Sequence, residues 1–210
     1  MSTIEYFYAA YSSYAWLGSA RLSEIAAASG RSLVHKPMDL KRVMAACGST
    51  SFAERSLDYR NHFFNRELER WAEFRGLRNL GRRPTFHHHG YDLANRVLVA
   101  AVLEGATIDA LAHCFLEGHW ADDADLADEV TLRSLADSAG FDGQALLAAA
   151  AMPAVQAQYE ANTREAIERK VFGSPTYFVD GDMFYGQDRL EMLERALARP
   201  FPCAWPQVTA

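Results

Sequence analysis

Two short segments carry residue types suited to chemistry. The first is Tyr11-Ser12-Ser13-Tyr14-Ala15-Trp16-Leu17, where an aromatic and β-branched run, Ile4 to Tyr8, gives way to a helical pattern. First-turn N–H groups of a helix lack intrahelical partners and sit at its positive end, so an anion placed there is stabilised. A serine hydroxyl at that point can donate to a thiolate. Ser12 or Ser13 can equally serve as a plain helix cap. The second segment is Val171-Phe172-Gly173-Ser174-Pro175-Thr176, followed by Phe184-Tyr185-Gly186-Gln187-Asp188-Arg189-Leu190. A Gly-x-Pro-Thr ahead of a strand suggests a cis proline held in a tight turn. Such a turn presents the backbone N–H and C=O of Ser174 to a peptide-like ligand, as strand addition does. The alternative is a proline that merely opens a strand. Asp188 also has two readings, helix cap and ligand carboxylate, which do not exclude each other.

A third cluster is Gly81-Arg82-Arg83-Pro84-Thr85-Phe86-His87-His88-His89. Arg82 and Arg83 suit a forked grip on a carboxylate, or are exposed loop charges. The histidines suit a polar wall of a substrate site, with His88 in its middle, or a solvated loop. Consecutive residues seldom converge on one ion, so no metal is expected there. Asp122, Asp123, Asp125, Asp128 and Glu129 lack the glycine of a calcium loop and read as a solvated turn and helix start. Phe64 and Trp71 recur at core spacing.

The elements that must position these groups follow from pattern. Ile4 to Tyr8 and Ser32 to Met38 read as strands, the second pushed toward a sheet edge or end by Pro37. A helix from Ser13 to Ser29, closed by Gly30, joins them, which predicts a parallel pair with a crossover helix. From Leu57 to Lys170 the periodicity is helical, with Gly76 ending one helix. Thr176 to Val179 and Met183 to Tyr185 flank Asp180-Gly181, a strong hairpin signal. Asp188 with Glu191 predicts a capping box opening a last helix that runs to about Arg199. The order is β-α-β, a helical block, then β-β-α. It divides into a discontinuous domain, 1–40 with 171–210, and a helical insertion, 41–170.

The chain has 210 residues, half of them hydrophobic, which suffices for a sizeable core. A net charge of −6 argues against nucleic acid, whose binding is driven by cations. No apolar run is long enough to span a bilayer, and the first residues lack a signal-peptide layout. Cys47, Cys114 and Cys203 are far apart and make no C-x-x-C, which fits free thiols in a reducing, cytoplasmic setting.

The runs Ala166-Ile167-Glu168-Arg169-Lys170-Val171-Phe172-Gly173-Ser174-Pro175-Thr176 and Gly186-Gln187-Asp188-Arg189-Leu190, with the Ser12 loop, resemble the 2-hydroxychromene-2-carboxylate isomerase family and the similar kappa-class glutathione transferases. The resemblance covers nearly the whole chain. It implies an α/β, thioredoxin-like fold of the DsbA type with an inserted helical domain. It further implies glutathione as cofactor, Ser12 as the catalytic serine that holds the sulfur as thiolate, and Ser174 before cis Pro175 pairing with the cysteinyl part. Gln187 and Asp188 would bind the γ-glutamyl end. Ser12 and Ala15 fall on the two cysteine positions of a redox C-x-x-C, so dithiol exchange there is excluded. The implied reaction is isomerisation of a conjugated aromatic carboxylate by reversible thiolate addition, in a homodimer. The alternatives are a transferase that leaves glutathione on the product, or a non-catalytic binding module. Many relatives carry proline where this chain has Ser13, and the Gly81 to His89 stretch does not align with theirs. Arg82, Arg83 and His88 are the expected substrate contacts.

Overall fold

The computed structural model describes residues 2–50 and 54–202. β1 (Thr3–Tyr8) and β2 (Ser32–Pro37) pair in parallel and are joined by α1 (Ser13–Ser29), as expected. β3 (Thr176–Val179) lies antiparallel to β1 and forms a hairpin with β4 (Asp182–Tyr185), giving the order β2-β1-β3-β4. The hairpin turn has positive φ at both centres, 51° at Asp180 and 92° at Gly181, the type I′ requirement. β2 is an edge strand, and Pro37 ends it. The two ends of the chain therefore build one sheet.

Side-chain alternation along β1 fills two cores. Ile4, Tyr6 and Tyr8 meet Tyr177 and Val179 on one face, with Leu17, Leu22 and Ile25 of α1. Phe7 and Phe178 face the other way, against Val43 of α2 (Leu40–Ala46) and Ala166 of α9 (Pro153–Glu168). The sheet is thus covered by helices on both faces, the arrangement that lets β3 be buried at all four residues. The remaining helices are α3 (Leu57–Asn61), α4 (Glu67–Arg75), α5 (Asp92–Leu103), α6 (Asp109–Ala121), α7 (Glu129–Ser138), α8 (Gly143–Ala150) and α10 (Leu190–Ala198). Leu98 of α5 and Phe115 of α6 share the Tyr6 core. Among the described residues no helix is long and apolar enough to cross a membrane.

Three local features differ from the sequence pattern. α2 carries no strong periodic signal; Asp39 makes it, accepting from the N–H groups of Lys41 and Arg42. The single helix expected through Leu57 and Trp71 is broken by a π turn at His62–Arg66. Phe64, inside that turn, lines a surface cleft, while Leu68 and Ala72 fill the core and Trp71 packs against it as its spacing suggests. The capping box at Asp188 is absent: a 3₁₀ turn, Gln187–Arg189, precedes α10, and Glu191 pairs with Arg75. Cys203 lies outside the described residues.

Behind the sheet, Arg169 forks the Glu5 carboxylate at 2.6 and 2.9 Å, Lys36 adds a bond at 2.8 Å, and the guanidinium sits 3.7 Å from the Phe178 ring centre. This ties the end of α9 to β1. The Arg169 bond first, with Lys36 also contributing, holds Glu5 down to about 2 from 4.5. A depressed carboxylate contributes stability above its unfolded value and loses it as pH falls through the folded one. Denaturation midpoints should fall between pH 4.5 and about 2, and Glu5→Gln should flatten that slope by about one proton. An unchanged slope would remove Glu5 from the acid response.

Candidate active site

Residues 9–12 link β1 to α1, and this loop is held by bonds from distant segments. Ala9 N–H donates to Ser174 Oγ at 3.1 Å, and Ala10 N–H donates to Asn95 Oδ1 at 2.9 Å. Trp120 Nε1–H donates to the Tyr11 carbonyl at 2.9 Å. Asn95 is wholly buried, and its amide also donates to the Met38 carbonyl and to Tyr159 Oη. The loop is therefore set by side chains from α5, α6 and the Ser174 turn together.

Ser12 caps α1: its Oγ accepts from Ala15 N–H at 3.3 Å and donates to the Ser174 carbonyl at 3.1 Å. Ser12 is the one of the serine pair whose hydroxyl meets Ser174. The Ser13 and Tyr14 N–H groups have no partner among the described residues, and the first turn of α1 holds no acidic side chain. The positive end of the helix is thus uncompensated. The Ser174–Pro175 bond is cis, as the Gly-x-Pro-Thr pattern suggests. The Ser174 N–H has no partner among the described residues, while the Pro175 carbonyl is taken by Gly186 N–H at 2.9 Å. One free donor and one hydroxyl-bound acceptor therefore flank the cis bond.

Gln187 and Asp188 follow directly. Gln187 is buried, its Oε1 3.4 Å from Arg75 Nη2 and its Nε2 without a partner among the described residues. Its side chain lies against Gly18 of α1, where a Cβ would come within 2.8 Å of it. Asp188 is half-exposed, accepts from Arg189 at 2.8 Å, and its charge reaches Tyr14 and Tyr185. Gly186, at φ 100°, lets the carboxylate fold back; a Cβ there would sit on Asp188 Oδ1.

A cleft of about 370 Å³ opens beside α1. Trp16, one turn on from Ser12, and Trp120 stack with ring centres 6.0 Å apart and line it with Phe64, Leu68 and Arg83. Tyr14 Oη donates to the Phe63 carbonyl at 2.6 Å, joining the π turn to α1. A wider, shallower hollow of about 510 Å³ at Ser49, Arg55 and Tyr59 has no lining residue from α1, whereas the cleft has Trp16 of α1 and Trp120, which bonds the Tyr11 carbonyl, so the cleft is the candidate.

Gly81, Arg82 and Arg83, the start of the Gly81 to His89 loop, line one side of the cleft. Arg82 is committed to Asp123, which also accepts from the Thr85 N–H and hydroxyl. His89 bonds Asp125 at 2.7 Å. Asp123 and Asp125 are therefore buckles for this loop rather than a solvated turn, while Asp128 caps α7 as expected. Arg83 lines the cleft near Tyr11, and desolvation lowers its pKa. His88 is exposed against the His89 ring. His87 turns inward, between Tyr11 and Trp120.

A family model of the DSBA-like thioredoxin domain matches residues 3–198. The chain belongs to that family. A 2-hydroxychromene-2-carboxylate isomerase of Pseudomonas putida is 28% identical over 198 residues, 93% of this chain and 94% of the relative. A solved 2-hydroxychromene-2-carboxylate isomerase superposes with a TM-score of 0.78 at 27% identity, covering 94% of this chain and 95% of its own. The cytosolic disulfide reductase DsbM of Pseudomonas aeruginosa, solved with GSH, has a TM-score of 0.58 at 17% identity, covering 94% and 93%. That last likeness is one of fold alone.

Within this DSBA-like fold, sequence reasoning finds Ser12, Ser174, Pro175 and the 187–188 turn, which the structure brings to one end of the sheet. It misses Asn95, Trp120 and His119, whose partners lie 85, 109 and 32 residues away. Charge complementarity between Arg82, His89 and the aspartates is the one available signal. Asn95→Ala should orphan the Ala10 N–H and lower stability by about 2 kcal/mol or more. Denaturant unfolding checks this, and a loss below about 0.5 kcal/mol would remove Asn95 from the clamp.

Proposed function

We propose that the protein is a glutathione-dependent isomerase of a 2-hydroxychromene-2-carboxylate-like compound, with Ser12 as thiolate partner. The observation that carries this reading is the Ser12–Ser174 pair at the start of α1, in a chain similar along its length to such isomerases. The residues present fit the tripeptide. Ser12 O–H and the Ser174 carbonyl satisfy each other, so a ligand with a thiolate and an amide N–H exchanges one bond for two. The free Ser174 N–H supplies a third, in the manner of a short added strand. The Asp188 carboxylate suits the ammonium of a γ-glutamyl group.

When bound, glutathione supplies a nucleophile that adds reversibly to a conjugated double bond, permits rotation, and departs. The chain's own part is electrostatic. Ser12 donates to the sulfur anion, and the Ser13 and Tyr14 N–H groups with the helix dipole favour its charged form. Phe64 offers an apolar surface for a bicyclic ring, backed by the buried Trp16–Trp120 stack, and Arg83 a positive charge for its carboxylate. Ser12 and Ala15 leave no thiol for disulfide exchange at this position. The cytoplasm, where thiols stay reduced, is the compartment this chemistry requires.

Ser12→Ala should remove a charge-assisted hydrogen bond of about 1.5–3 kcal/mol and lower kcat/KM roughly 10- to 100-fold. The assay follows isomerisation of 2-hydroxychromene-2-carboxylate with and without reduced glutathione, and weighs free glutathione at the end. Undiminished turnover in Ser12→Ala, or turnover without glutathione, would refute the role; stoichiometric loss of glutathione would make the protein a transferase.

A further inference from the structure

His87 and His119 face each other, Nδ1 to Nε2, at 2.8 Å. The inner end of the pair fixes its protons. His119 Nδ1 lies 2.9 Å from the Ala124 carbonyl, which only accepts, so Nδ1 carries hydrogen. His119 is 1% exposed, and burial disfavours its imidazolium against the smaller pull of the Ala124 carbonyl, Asp123 and Asp125. Its Nε2 is then a lone pair, and His87 Nδ1 must donate to it. Burial, with His119 and Arg83 nearby, holds the His87 pKa down to about 3, so this ring is neutral too. A neutral ring protonated at Nδ1 has a lone pair at Nε2.

That lone pair is placed to be used. It has no hydrogen-bond partner among the described residues, and the ring is half-buried rather than sealed. The His87 ring centre is 5.1 Å from Tyr11, the residue before Ser12, and 5.1 Å from Trp120 of the cleft. The loop carrying it is buckled at Asp123 and Asp125, so the ring is held from both sides. Arg83, four residues earlier, lines the cleft against which Trp120 packs, and its charge reaches His87. An acceptor beside a cation matches a compound with a hydroxyl near a carboxylate, and a 2-hydroxy-2-carboxylate has both on one carbon.

We propose that His87 Nε2 is a fixed hydrogen-bond acceptor for a hydroxyl of the bound substrate, so that the site selects hydroxylated over hydroxyl-free aromatic carboxylates. This rests on the isomerase reading. His119 is a positioning residue: its proton on the Ala124 carbonyl decides which nitrogen of His87 is open.

The test uses full-length protein with ¹⁵N-labelled histidine and long-range ¹H–¹⁵N spectra, with mandelate and α-methoxyphenylacetate, which carry the hydroxyl or methoxy group on the carboxylate-bearing carbon, as probes in the presence of glutathione. His87 should read as protonated at Nδ1 and bare at Nε2. The hydroxyl probe should shift Nε2 and bind about tenfold more tightly than the methoxy probe. His87→Phe, which keeps the ring packing, should make the two affinities equal and leave glutathione affinity unchanged. A protonated Nε2 in the free protein, equal effects of the two probes on the wild type, or binding of neither would overturn the proposal. Turnover of 2-hydroxychromene-2-carboxylate is measured separately: its absence with the probe results intact would sink the isomerase reading and leave the acceptor standing.

Discussion

The 3.1 Å hydrogen bond from Ser12 Oγ to the Ser174 carbonyl joins the two ends of the chain at the point where the chemistry is proposed. Everything else in the fold serves to bring those residues together. β1 leads into Ser12 at its exit and β3 follows Ser174 at its start, and their antiparallel pairing, Phe7 with Thr176, sets the register. A slip of one residue would turn Phe7 and Tyr8 to the wrong cores and separate the serines. The bond is reciprocal with the Ala9–Ser174 Oγ contact, so the loop and the turn hold each other. Such a pair can open for a ligand that satisfies both members without leaving a buried polar group orphaned.

The charge around this point is arranged by omission. α1 has no acid in its first turn, and Arg169, Lys36 and Glu5 neutralise one another behind the sheet. The nearest carboxylate along the chain after the hairpin, Asp188, is held back by Gly186 and Arg189. The anionic sulfur proposed to bind at Ser12 would therefore meet N–H groups and a hydroxyl. The side proposed for the substrate is built differently, from Phe64 over a buried tryptophan stack and a loop pinned by two aspartates, which would separate the binding of an apolar ring from the handling of charge.

Much of this architecture is legible in the amino-acid order. Strand, helix and hairpin signals are local: Asp180-Gly181 needs positive φ whatever surrounds it, and Ser13 to Ser29 is bounded by its own cap residues. The cis proline and its neighbours carry a motif in consecutive residues. The clamp on the loop is not legible, because Asn95 and Trp120 look like any polar or aromatic helix residue until the packing of α5 and α6 aims them. The π turn is invisible for a related reason: Leu57, Phe64 and Trp71 obey helical spacing, and only tertiary contacts decide that Phe64 serves a cleft. At the histidine loop, residue type marks the right segment, but whether His87 or His88 faces inward depends on His119, 32 residues on.

The central claim is that Ser12 and the α1 N-terminus stabilise a sulfur anion. Its most direct test is a pH titration of the ultraviolet thiolate absorbance of glutathione bound to the wild type and to Ser12→Ala. The bound thiol should ionise at least about 1 pH unit below the ordinary cysteine value of about 8.5, and Ser12→Ala should return it most of the way. A bound thiol that ionises at its ordinary value, or one equally depressed in Ser12→Ala, would contradict the account.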